Sequence, residues 1–185
     1  MKKSTLLVLL VFAGIIGFSA CELFPDNGFS FDEKTFNSNR NLWENNNIQN
    51  YSFTMTGQFP YWNLPRAILM FDYEVNIVVK NGTMDSFEYI GNNIPYTEDG
   101  ETILEPEFTS ISDIYQKISD RAQESKEWWN NYSGNGYIIS TKFVIKYNSE
   151  WNYITFFEPV SNWKSGVIVD TTAHAVSLSK FVILE

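Results

Sequence analysis

Apolar residues recur along this chain with two different periods, and the switches between them mark out its elements. In "FDEKTFNSNRNLWENNN", Phe36, Leu42 and Trp43 approximate helical spacing, and Asp32 and Glu33 sit where a first helical turn prefers acids. The run "ENNNIQN" is expected to end that helix, because asparagine is a poor helix former and tolerates a left-handed cap. The period then drops to two. Tyr51, Phe53 and Met55 alternate with Ser52, Thr54 and Thr56, the pattern of a strand with one buried face. "YWNLPR" carries a proline and reads as a loop or an edge. "AILMFDYEVNIVVKNGTMDSFEYIG" reads as a long strand, a turn at Asn81-Gly82 and a returning strand through Phe87 and Tyr89. An Asn-Gly pair between two such runs is a strong hairpin signal.

After the polar, acidic loop "NNIPYTEDGETILEPEF", helical spacing returns with Ile111, Ile114, Tyr115, Ile118 and Ala122. Ser110 with Asp113 is a capping arrangement at its start, and Gly134 with Gly136 stops what remains of the helix. Three more strand-like runs follow: "YIISTKFVIKYN", "WNYITFFEPV" and "AVSLSKFVILE". The order helix, three strands, helix, three strands predicts the α+β class, with two α-β-β-β halves forming an antiparallel sheet covered by helices on one face. The halves do not align residue for residue, so the repetition is one of architecture and not of sequence.

The N-terminus follows a third pattern. Lys2 and Lys3 precede an unbroken run of apolar or small residues from 6 to 18, followed by small residues up to Cys21. This is the layout of a secretory signal. A spanning helix needs about 20 apolar residues, and the run is shorter than that. Phe18, Ser19, Ala20 and Cys21 resemble a bacterial lipobox, in which small residues precede a cysteine that is lipidated on its thiol and becomes the mature N-terminus. The first lipobox position is usually leucine, and phenylalanine stands there in this chain. Cys21 is the single cysteine of the sequence, so a disulfide has no second thiol. The expected organisation is a lipoprotein signal peptide over residues 1–20, a lipidated tether over 21–30 with its Pro, Asn and Gly, and one α+β domain over 31–185. Acyl chains contribute about 0.8 kcal/mol per buried methylene, enough when several are present to hold such a domain on a bilayer. The expected location is the cell envelope, on the outer membrane or the cell surface.

Charge narrows the set of partners. Cleavage before Cys21 removes two lysines and no acids, which leaves 11 basic against 22 acidic residues and a formal charge of −11. Such a surface repels phosphate backbones, which argues against nucleic acid and against electrostatic docking on anionic lipid. The aromatic content of 17% and hydrophobic content of 44% favour a packed core over disorder.

"NLWENNNIQNYSFTM" followed by "YEVNIVVKNGTMDSFEYIG" carries a helix tryptophan, an isoleucine five residues on, a Tyr-x-Phe strand and a Val-rich strand closed by Asn-Gly. With "TSISDIYQKI" as the next helix, this resembles the bacterial domain-of-unknown-function family 6174, small secreted or lipid-anchored domains. In "IKYNSEWNYITFF" Tyr147, Trp151 and Ile154 match that family's final hairpin, but its glycine and proline are missing. The resemblance runs from about Asn37 to Phe157. It implies a fold and an envelope location, and no activity or catalytic residues.

Candidate chemistry is sparse. His174 stands alone among histidines, Cys21 is assigned to lipid, and no nucleophile motif accompanies either, so neither a metal site nor a catalytic site is expected. Glu98, Asp99, Glu101, Glu105 and Glu107 crowd one loop, but their spacing differs from that of a defined calcium loop. No cofactor is implied. The aromatic pairs Tyr61-Trp62 and Trp128-Trp129 are more informative. Consecutive residues diverge by about 180° on a strand and about 100° on a helix, so one ring of each pair is hard to bury and suits a protein or glycan surface. The expectation is a lipid-anchored, non-enzymatic binding module whose partners are the membrane, through Cys21, and an envelope protein or glycan. An envelope glycan hydrolase and a purely structural lipoprotein are the rival classes.

Overall fold

A computed structural model describes residues 28–60, 70–92, 94–95, 103–132, 138–163 and 175–185. The elements run β1 (Gly28–Ser30), α1 (Glu33–Asn46), β2 (Tyr51–Pro60), β3 (Met70–Lys80), β4 (Thr83–Ile90), α2 (Ile111–Tyr132), β5 (Ile138–Tyr147), β6 (Ile154–Trp163) and β7 (Val176–Ile183). The strands make one seven-stranded sheet in the order β1-β5-β6-β7-β2-β3-β4. The α+β class holds, with two corrections. The sheet is mixed instead of antiparallel, because β1 pairs parallel with β5 through Gly28↔Ser140, Phe29↔Thr141 and Ser30↔Lys142. The last three residues of the expected tether, 28–30, are that strand. Phe29 holds it by packing edge-on against Phe143, with ring centroids 5.7 Å apart.

Local signals placed the element ends. The Asp32 carboxylate accepts from the Thr35 amide at 3.0 Å and caps α1, and Asn47 closes the helix in the left-handed conformation at φ 50°. Ser110 Oγ accepts from the Asp113 amide at 3.1 Å, while the Asp113 carboxylate reaches back to the Thr109 amide at 2.9 Å, so α2 begins with a reciprocal cap shifted by one residue. Asn81 at φ 51° and Gly82 at φ 76° supply the two positive angles that a tight hairpin between β3 and β4 requires. The turn between β5 and β6 is closed by asparagines. The Asn148 side chain accepts from the amides of Glu150 (2.9 Å) and Trp151 (2.7 Å), and Asn152 takes φ 60°.

The core is one cluster, drawn from alternate strand residues (Tyr51, Phe53, Met55; Tyr73, Val75, Ile77, Val79) and from helix residues at helical spacing (Phe36 and Trp43; Ile111, Ile114, Tyr115, Ile118, Ala122). Rings tie the elements together: Phe36 meets Tyr115 edge-on at 5.3 Å, and Trp43 meets Tyr51 at 5.4 Å. The Tyr51 hydroxyl accepts from the Ile111 amide at 3.0 Å, which satisfies an otherwise unpaired first-turn donor of α2 inside the core. Thr54, on the other side of β2, is also buried, and its hydroxyl donates to the Asn76 side-chain carbonyl at 2.6 Å.

Three ladders carry extra residues, one each in β2–β7 and β3–β4 and two in β5–β6, where the second lies on β5 at Ile139. In β7 Lys180 adopts φ 50°, so Ser179 pairs with Thr54 but Val182 pairs with Ser52. In β6 Phe156 pairs with Lys146 but Ile154 pairs with Tyr147, and in β4 the shift falls at Asp85. Each bulge resets which side of the sheet the following residues face. The β6–β7 pairing is short, Phe156↔Ser177 and Phe157↔Val176 among the described residues.

Gly57 marks a close approach. It pairs with Tyr73, and a β-carbon there would lie 2.8 Å from the Tyr73 hydroxyl oxygen and 2.9 Å from Cζ. The Tyr73 ring is buried and must shift to admit a methyl group at this position. Gly57→Ala is therefore expected to destabilise the domain by about 1–3 kcal/mol, read as a lowered urea midpoint. An unchanged midpoint would mean that the ring moves freely.

Candidate functional site

The sheet has two ends of different character. At one, Tyr51 pairs with Val79 and with Ile183, and the Asn81-Gly82 turn and the Asn148–Asn152 turn lie beyond. At the other, β1 begins at Gly28 beside Ser140, Ile138 pairs with Trp163, and Pro60 pairs with Met70. Helix α2 runs between them. Its first amide is bonded to Tyr51, and its last residue, Tyr132, stands six residues before Ile138. Its 22 residues span about 33 Å.

Of the residues expected to form a binding surface, Trp128 and Trp129 lie on the C-terminal half of α2. Trp129 continues the buried stripe through Ile118 and Ala122 and is half-buried, while Trp128 is rotated off that stripe and 42% exposed. The expected divergence of the pair is therefore present. Between this half of α2 and the segment from β1 to α1 lies a groove of about 540 Å³ lined by Phe29, Phe31, Ala122, Lys126, Glu127 and Asn130, among others. Cys21, Tyr61, Trp62 and His174 lie outside the described residues, as do Glu98, Asp99 and Glu101.

The two described acids of the acidic loop differ in role. Glu105 is exposed, whereas Glu107 pairs with Arg121, and its carbonyl accepts from Lys117. Both cations also lie over the Phe108 ring, at 5.5 Å for Arg121 and 5.8 Å for Lys117. This end of the loop is thus pinned onto α2 by charge and ring contacts. Among the described residues no group of three or more His, Cys, Asp or Glu side chains could hold a metal ion. No helix among them is long and apolar enough to cross a membrane.

A second concavity, of about 670 Å³, lies at the Gly28 end of the sheet. It is lined by residues of β2, β3 and β4, including Thr56, Gly57, Asp72, Tyr73, Glu74 and Ile90. Asp72 and Glu74 are two apart on β3 and share the face opposite Tyr73 and Val75. Glu74 accepts an ion pair from Lys180 Nζ at 3.2 Å. Burial pushes the Tyr73 phenol up, with the neighbouring Tyr89 and Glu107 adding to the effect, so this hydroxyl stays protonated. The legible signal was Gly57, a side-chain gap inside an otherwise regular strand pattern, with two acids alternating on the strand beside it.

No protein-family model, no curated protein and no solved structure matches the chain.

Proposed function

We propose that this protein is a lipid-anchored, non-enzymatic binding module of a bacterial envelope, a relative of the domain-of-unknown-function family 6174. The observation that carries the reading is the lipobox-like Phe18-Ser19-Ala20-Cys21, placed seven residues ahead of a strand hydrogen-bonded into the sheet. The binding role rests on the exposed ring of Trp128, since a large exposed ring offers contact area at low entropy cost. In the same reading, α1 with β2–β4 and α2 with β5–β7 are two α-β-β-β halves whose helices cover one sheet face. The element order and the shared core of helix and alternate strand residues support this.

The test is made in bacterial cells. Cys21→Ala is expected to abolish incorporation of labelled palmitate and partitioning into detergent, and label in that variant would refute the anchor. Crosslinking of the native protein, with Trp128→Ala and Trp129→Ala as comparisons, reports the partner. If neither substitution weakens any crosslink, the aromatic surface is not the binding site. The cavity holding Asp72 and Glu74 favours one alternative, hydrolysis of an envelope glycan by paired carboxylates. Release of soluble sugar that Glu74→Gln removes would establish that alternative and end the non-enzymatic reading.

A further inference from the structure

We infer that the C-terminal end of α2, with Trp128 and Trp129, lies against the bilayer that holds the protein, and that its ligand is the zwitterionic lipid–water interface. This rests on the proposed lipidation of Cys21 and adds the orientation of the domain. Three observations carry it.

The first is reach. Seven backbone steps separate Cys21 from Gly28, and at ~3.3–3.6 Å per residue a fully extended chain covers about 25 Å. A domain of this size has a radius of gyration near 15 Å and is thus about 40 Å across. A lipidated Cys21 keeps the Gly28 end of the sheet closer to the membrane than the domain's own width. With the Asn81-Gly82 end turned down the tether would have to be stretched almost fully, because the seven steps of β5 from Ser140, the partner of Gly28, to Tyr147 already span about 23 Å.

The second is placement. Gly28 pairs with Ser140 near the start of β5, the strand that follows α2, and Phe29 and Phe31 line a groove with Ala122, Lys126 and Asn130. The C-terminal half of α2 therefore lies beside the strand to which the anchor is joined. Trp163, the last residue of β6, pairs with Ile138 at this same end. Trp128 and Trp129 thus stand at the end nearest the anchor.

The third is chemistry. Tryptophan favours the membrane interface, where its ring meets the acyl boundary and its N–H meets water and headgroups. Glu124, Lys126 and Glu127 give this part of α2 both signs of charge, and the mature chain carries −11. An attraction to anionic lipid is thereby disfavoured, and the rings, not the charges, make the contact.

The experiment uses the full lipidated protein in phosphatidylcholine vesicles with brominated acyl chains, which quench tryptophan fluorescence only at close range. Quenching of the native protein is expected, and the Trp128→Phe, Trp129→Phe double variant should lose about half of it. Trp151→Phe, altered at the far end of the sheet, should keep it all. Quenching that the double variant retains in full overturns the inference, as does native protein that floats with the vesicles without being quenched. In the second case Trp128 is left for a protein or glycan. Flotation separates the two ideas. If Cys21→Ala floats as the native protein does, the anchoring is wrong. If only the native protein floats but the tryptophans do not respond, the anchoring stands and the orientation falls.

Discussion

Trp43→Ala is expected to remove about 3–5 kcal/mol of folding stability, a large part of the 5–15 kcal/mol that a domain of this kind typically has. Trp43 is 3% exposed and joins four elements. From α1 it meets Tyr51 of β2 edge-on at 5.4 Å and Phe181 of β7 at 6.0 Å, and its indole N–H donates to Ser112 Oγ of α2 at 3.3 Å. Alanine leaves a cavity between a helix and the sheet that neither side can close alone, and α1 keeps Phe36 as its other buried anchor. The measurement is the urea midpoint with an unchanged slope. Trp43→Phe separates the contributions: most of the packing returns, and about 1 kcal/mol, the hydrogen bond's share, stays lost. A loss below about 1 kcal/mol for Trp43→Ala would show that α1 is dispensable to the core.

The second large effect is on the alkaline side. Burial is the first cause that raises the phenols of Tyr51, Tyr89 and Tyr147 to about 12 from the ordinary 10, and it raises Tyr73, Tyr115 and Tyr153 as well. For Tyr51 the accepted bond from the Ile111 amide works the other way, and burial exceeds it. Each of these groups is more basic in the folded state than in the unfolded chain. Their stabilisation is therefore complete below about pH 10 and is lost as pH rises from 10 through 12. A phenol that stays protonated only when folded costs about 1.4 kcal/mol per pH unit in this window, on the order of 2–3 kcal/mol in all for Tyr51. Six such groups acting together should give one steep transition, with tyrosinate absorbance and loss of circular dichroism rising at the same pH. Absorbance that climbs gradually from pH 10 while the dichroism holds would contradict this burial of the rings. Tyr51→Phe should make the transition less steep, since one titrating group is gone.

Much of the fold was legible because the signals were local. A capping carboxylate, an asparagine able to adopt positive φ, and an Asn-Gly turn act within four residues of themselves, so their outcome depends little on the rest of the chain. The stripe Ile111, Ile114, Tyr115, Ile118 and the alternation Tyr51, Phe53, Met55 each name a buried face without naming what covers it, and both faces joined the core. The strand Gly28–Ser30 was not legible. Three residues show no periodicity, and their pairing with β5 is a contact across more than a hundred residues. The candidate surface divides in the same way. That Trp128 and Trp129 diverge follows from helix geometry, but that Trp128 is the exposed one depends on which stripe of α2 meets the sheet. The concavity at Asp72 and Glu74 needs β2, β3 and β4 side by side, and no single segment announces it.

The sequence by itself determined the kind and order of the long elements, the acidic surface and the residues from which the core is drawn, because each depends on residue type and spacing over a few positions. Only the tertiary structure decided the facing of the aromatic residues near the strand bulges. In "TFFEPV" one extra residue puts Phe157 into the core and leaves Phe156 on the other side, where Lys146 lies 5.0 Å from its ring. In "SLSKFVI" strict alternation from Leu178 would bury Lys180 and expose Phe181. The left-handed Lys180 reverses this, turning Phe181 to stack on Tyr153 at 4.6 Å and freeing the lysine to reach Glu74. A bulge is a choice between two registers, and its local strain is small beside the burial of one phenylalanine ring and the solvation of one ammonium group. The neighbouring strands and helices settle that choice, and the bulged segment alone does not contain them.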